Sequence, residues 1–72
     1  MTIGERAARE IKSRAPRGGL MEELKRLDIS DTFYRWTRGE ADPSAYYLQK
    51  LALAGYDVIY ILTGEENLHV DD

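Results

Sequence analysis

The stretch from Leu20 to Gly39, LMEELKRLDISDTFYRWTRG, decides how the rest of the chain is read. Leu20, Leu24 and Leu27 recur at helical spacing, with Met21 beside them and Glu22, Glu23, Lys25 and Arg26 on the other faces, so a short amphipathic helix is predicted here. Asp28 ends it. Ile29-Ser30 then supplies an apolar anchor and an N-cap, because the Ser30 side chain can satisfy amides of the following turn. The next helix runs from Ser30 to Thr37. Phe33 and Trp36, three apart, form its inward side and leave Asp31, Thr32, Tyr34 and Arg35 facing out. Gly39 suits its C-terminal cap.

Upstream, Thr2-Ile3-Gly4-Glu5 matches a capping box, in which a threonine hydroxyl and a glutamate three residues on satisfy each other's amides. A first helix starts there. Ile3, Ala7, Ile11 and Ala15, with Ala8, give it a narrow apolar stripe, and Pro16 stops it near Ala15. Arg17-Gly18-Gly19 is a loop, and Arg6, Arg9 and Lys12 read as a solvated face. Downstream, Asp42-Pro43 predicts a helix entrance, with aspartate as cap and proline at the first helical position. Ala45, Leu48, Leu51, Ala52 and Gly55 are the expected buried face of this fourth helix, which Gly55 closes. Val58, Ile59, Ile61 and Leu62 suit a fifth helix covered on two faces. Their β-branched character also suits a strand. Asp57 ahead of them, Gly64 after them and the lack of a second strand to pair with favour the helix. Residues 65–72 form an acidic tail.

Seventy-two residues hold one small core, so a single domain over residues 1–64 is expected, with no large catalytic cleft. The sequence has no cysteine and one histidine, His69, which removes thiolate chemistry and leaves little for a transition-metal site. Adjacent carboxylates such as Glu22-Glu23 and Glu65-Glu66 point in different directions on a helix and suggest no acid–base pair. No catalytic residue, metal or cofactor is assigned, and the protein is read as a non-enzyme. No apolar run approaches the ~20 residues that cross a bilayer, and the first residues lack a signal-peptide pattern, so a cytoplasmic protein is expected.

Net charge is −3, but it is unevenly placed. Residues 1–38 carry nine basic and six acidic side chains, a balance of +3, whereas residues 39–72 carry one against seven, a balance of −6. The N-terminal part can therefore meet a polyanion while the acidic part turns away, since fields beyond ~8–10 Å are largely screened at physiological salt.

Two short helices joined by a tight turn and flanked by other helices read as a helix-turn-helix, whose second helix enters the major groove. The fragments Ile3-Gly4-Glu5-Arg6, Ile29-Ser30, Arg35-Trp36-Thr37-Arg38-Gly39-Glu40, Asp42-Pro43-Ser44 and Gly55-Tyr56-Asp57-Val58-Ile59-Tyr60-Ile61-Leu62-Thr63-Gly64 carry a further signal. In this order and spacing the chain resembles the phage repressor/Cro-like helix-turn-helix family over roughly residues 3–64. The family's turn glycine appears here as Asp28.

That resemblance implies an all-α, compact five-helix lambda-repressor-like domain. It implies a sequence-specific transcriptional regulator, of phage or prophage type, that binds a double-stranded DNA operator, commonly as a homodimer. Base-contact candidates are Ser30, Asp31, Thr32, Tyr34 and Arg35: the arginine can fork onto guanine and the aspartate can accept from a cytosine amino group. Phosphate-contact candidates are Arg17, Lys25, Arg26 and Arg38, with free amides near Gly18, Gly19 and Gly39. Phe33 and Trp36 are assigned to the core. Tyr46, Tyr47, Tyr56 and Tyr60 are packing residues, an exposed subset of which can form a dimer seam. The rival expectation is a protein-interaction module of the same fold that has lost DNA binding.

Overall fold

Thr2 starts the first helix as the capping box requires. Its hydroxyl oxygen accepts the Glu5 amide at 3.0 Å, and the Glu5 carboxylate accepts the Thr2 amide at 2.8 Å. The structure, a computed structural model, describes residues 1–15 and 18–65. These form five helices and no strand: α1 (Ile3–Arg14), α2 (Leu20–Leu27), α3 (Ser30–Thr37), α4 (Ala45–Leu53) and α5 (Val58–Thr63). The readings placed on Arg17 and on residues 66–72 lie outside the described residues.

α1 runs through the middle, packed against α3 on one side and α5 on the other. Ala7, Ala8 and Ile11 come from its apolar stripe. Leu24, Leu27, Ile29, Phe33, Trp36, Leu51, Tyr56 and Ile61 complete the buried core. Each large side chain removed from water there contributes about 1.5–3 kcal/mol, set against the conformational entropy lost on folding.

Three helices end in the same way. After α2, α3 and α4 the chain turns through a left-handed residue, Asp28 (φ 58°), Gly39 (φ 73°) and Gly55 (φ 93°). The next amide reaches back five residues: Ile29 to the Leu24 carbonyl, Glu40 to Arg35, Tyr56 to Leu51, at 2.9–3.0 Å. Asp28 is the one non-glycine at such a position among the described residues.

Several local expectations are corrected by long-range contacts. α3 begins at Ser30 itself, Ile29 holds the N-cap position, and no side chain caps the helix, so the Ser30 N-cap is not formed. α4 begins two residues later than the Asp42-Pro43 signal suggests, with Ser44 at its N-cap. Asp42 instead accepts the Gly4 amide of α1 at 2.9 Å, and Pro43 is buried. The carboxylate caps a helix, but a distant one. Gly4 permits this approach, because a Cβ there would lie 2.1 Å from the Ala41 carbonyl oxygen.

On α4, Leu51 is buried and Tyr47, Leu48 and Ala54 pack against the core, whereas Ala45, Ala52 and Gly55 are exposed. The buried stripe therefore runs through positions 47, 48, 51 and 54, which share one face at three- and four-residue spacing. α5 is covered on one face only: Ile61 is fully buried, but Ile59 and Leu62 are exposed.

Arg6 is likewise not part of a solvated face. Its guanidinium donates to the Ile61 carbonyl at 2.9 Å, Leu62 at 3.1 Å and Met1 at 2.8 Å. One turn on, the buried Glu10 carboxylate accepts the Asp57 amide at 2.9 Å, and Asp57 in turn accepts the Tyr60 amide at 3.0 Å. Thus α1 holds the antiparallel α5 at both ends, with negative charge at its N-terminus and positive charge at its C-terminus.

Candidate nucleic-acid interface

α2 and α3 are separated only by Asp28 and Ile29. Ile29 is buried and anchors the turn, while the left-handed Asp28 swings the chain into α3. Phe33 and Trp36 are each 1% exposed and fix which side of α3 faces the core. By helical periodicity the opposite side is set at the same time. Asp31, Tyr34 and Arg35 are exposed there, with Ser30 and Thr32 half-buried at its margin. All five base-contact candidates therefore lie on one short helix, with Asp31, Tyr34 and Arg35 the most open to solvent. The Tyr34 hydroxyl reaches back to the Met21 sulfur of α2 at 3.5 Å, and its ring meets Phe33 edge-on at 5.4 Å. These contacts hold the tyrosine upright between the two helices.

The phosphate-contact candidates divide. Lys25 is exposed and belongs to no ion pair among the described residues, and the same is true of the base-contact candidate Arg35. Arg26 forms a two-pronged pair with Glu23, at 3.0 and 2.6 Å. Arg38 does the same with Glu40, at 2.9 and 3.2 Å. Both arginines are more than half exposed, and such pairs are worth about 0.2–1 kcal/mol, so an incoming phosphate can compete for them. Of the glycines, Gly39 loses its expected role: its amide donates to the Trp36 carbonyl at 3.0 Å in closing α3. Gly18 and Gly19 lead into α2, whose N-terminus carries no side-chain cap.

The Arg26 pair has a support that sequence spacing does not show. Tyr56, buried and 33 residues away, donates its hydroxyl proton to Glu23. Arg26 and then Tyr56, by hydrogen bonding, hold the Glu23 carboxyl below its usual range. Burial, then the neighbouring carboxylate, raises the Tyr56 hydroxyl to about 12. Arg38, by hydrogen bond and charge, similarly lowers Glu40. The carboxylates beside both arginines are ionised at neutral pH. A small depression at the start of α3, lined by Asp28, Ile29, Ser30, Asp31, Thr32 and Tyr47, adds two further acids to this surface. Lys50 was also missed as a structural cation: it donates to the Leu27 carbonyl at 2.8 Å and so caps α2 from α4.

Comparison with protein-family models, curated proteins and solved structures finds no match to this chain. The geometry alone bears on function. No helix among the described residues is long and apolar enough to cross a membrane.

Proposed function

We propose that the chain is a sequence-specific DNA-binding regulator that places α3 in the major groove. One observation carries the reading: α3 commits Phe33 and Trp36 to the core and thereby presents Asp31, Tyr34 and Arg35 on an exposed polar face, immediately after a two-residue turn. In this reading α2 and α3 form a helix-turn-helix of repressor type. Arg35 supplies a bidentate contact to guanine, while Lys25, with Arg26 and Arg38 released from their carboxylates, positions the sugar-phosphate backbone. A two-fold operator calls for two copies of α3. Ile59 and Leu62 on α5, with Leu53 at 82% exposure, supply apolar surface for that pairing.

Selection from a randomised duplex pool, followed by titration at two salt concentrations, tests the proposal. Affinity should fall as salt rises, through counterion release. Arg35→Ala should flatten the base preference by about 1–3 kcal/mol and leave stability within about 0.5 kcal/mol. No enriched sequence, with no binding at low salt, would support the rival reading of a protein-interaction module. That rival draws on the same surface: two of its arginines are already matched by carboxylates, and Asp28 and Asp31 repel phosphate.

A further inference from the structure

We propose that the groove along the outer face of α1 is the docking site for this chain's own acidic segment, residues 66–72. The groove runs between α1 and the end of α3, with Ala8 at its base, Arg9, Lys12 and Ser13 along it and Thr37 on the far wall. Arg9 and Lys12 are exposed and enter no ion pair among the described residues. Glu5, the acid of this groove, is already committed to the Thr2 amide. The groove thus combines a small apolar base with two cations, Arg9 and Lys12, set against the one carboxylate of Glu5, leaving it net positive.

The segment Glu66-Asn67-Leu68-His69-Val70-Asp71-Asp72 has the opposite pattern, with acids at its two ends and Leu68 and Val70 between them. Its point of departure is close by. The Arg6 guanidinium binds the last carbonyls of α5 and also the carbonyl of Met1, which lines the groove, so one side chain joins the two. Seven residues can span about 23–25 Å, whereas Glu5 to Ser13 along a helix is about 12 Å. The tether therefore reaches the whole groove. Short linkers give effective concentrations in the millimolar range, enough for weak charge pairing to become substantial. The docking does not depend on whether α3 binds DNA.

Because the sequence has no cysteine, His69→Cys provides a single site for a nitroxide label that spares the acids and both apolar residues. The label should erase the amide signals of Ala8 to Ser13 and of Thr37 in an NMR spectrum. Arg9→Glu combined with Lys12→Glu should restore them while the spectrum stays dispersed, and so should high salt. Uniform broadening, no broadening at α1, or broadening indifferent to the charge reversal would overturn the proposal. The same holds if the label ignores the groove while the double variant weakens duplex binding, since the groove would then serve DNA phosphate instead.

Discussion

The two sides of α1 are built on different principles. At the ends of α1 and α5, helix termini are satisfied by side chains: Thr2 and Glu5 at the start of α1, Asp42 on Gly4, Glu10 and Asp57 at the start of α5, Arg6 at its end. At α2 and α3, the N-termini have no side-chain cap, and on the exposed faces Arg26 and Arg38 are paired with near neighbours while Lys25 and Arg35 enter no ion pair among the described residues. A helix N-terminus left uncapped forgoes about 0.5–2 kcal/mol. The first side secures the fold, which allows the second to keep amides and cations in contact with solvent, where an anion can use them.

Substituting Gly4 is the most severe way to break the first side. Gly4→Ala puts a methyl group 2.1 Å from the Ala41 carbonyl oxygen, a backbone atom with no rotamer to escape into. The clash must push α1 away from residues 41–42 and stretch the bond from the Gly4 amide to Asp42. Overpacking of this kind costs typically 1–3 kcal/mol and sometimes more, a large share of the stability of so small a domain. Urea denaturation would register it. An alanine variant as stable as the parent would show that the close approach of Ala41 is not required.

The link between the two sides comes next. Tyr56 lies in the core beside α5 but bonds Glu23 on α2, which in turn holds Arg26. With its hydroxyl raised from 10 to about 12, the folded state keeps the proton that the unfolded chain releases first. This contribution is complete below pH 10 and is lost between pH 10 and pH 12, by up to about 3 kcal/mol. Glu23 behaves oppositely. Its folded carboxyl is more acidic than its unfolded one, so its contribution is present above the ordinary carboxylate range and disappears as pH falls through the folded value. Stability curves of the parent and Tyr56→Phe should diverge at neutral pH and converge toward pH 12. Parallel curves through the alkaline range would rule out the linkage.

The same contrast explains what sequence reasoning could and could not see. The spans of α2 and α3, the inward side formed by Phe33 and Trp36, and the outward placement of Asp31, Tyr34 and Arg35 follow from spacing within a few turns. That part is local. The roles of Arg6, Glu10, Asp42 and Lys50 are set by helix ends 23 to 56 residues away, so no window along the chain contains their partners. A cap signal such as Asp42-Pro43 is ambiguous for this reason: the carboxylate needs an orphan amide, and that of Gly4 competed successfully with those of α4. One clue was available, the glycine inside α1, which marks a close backbone approach without naming what approaches. The candidate site was legible in position but not in charge, because the Glu23 and Glu40 pairs depend on rotamers and, for Glu23, on Tyr56.

Asp28 offers the finest adjustment, since it belongs to the turn between α2 and α3. It holds φ 58°, ψ 46°, where an L-residue is strained and aspartate only partly tolerated. No hydrogen bond from its side chain stabilises this conformation among the described residues. Asp28→Gly removes the strain but adds freedom to the unfolded chain, which offsets part of the gain, so a net increase below about 1 kcal/mol is expected. Asp28→Ala, which keeps a Cβ without polar compensation, should move stability the other way. Both changes take a negative charge from the depression at the start of α3, so both should strengthen low-salt DNA binding to a similar extent. Thermal unfolding then separates backbone strain from charge, because only the first distinguishes glycine from alanine. If both variants lose stability equally, Asp28 owes its place to its carboxylate and not to its backbone.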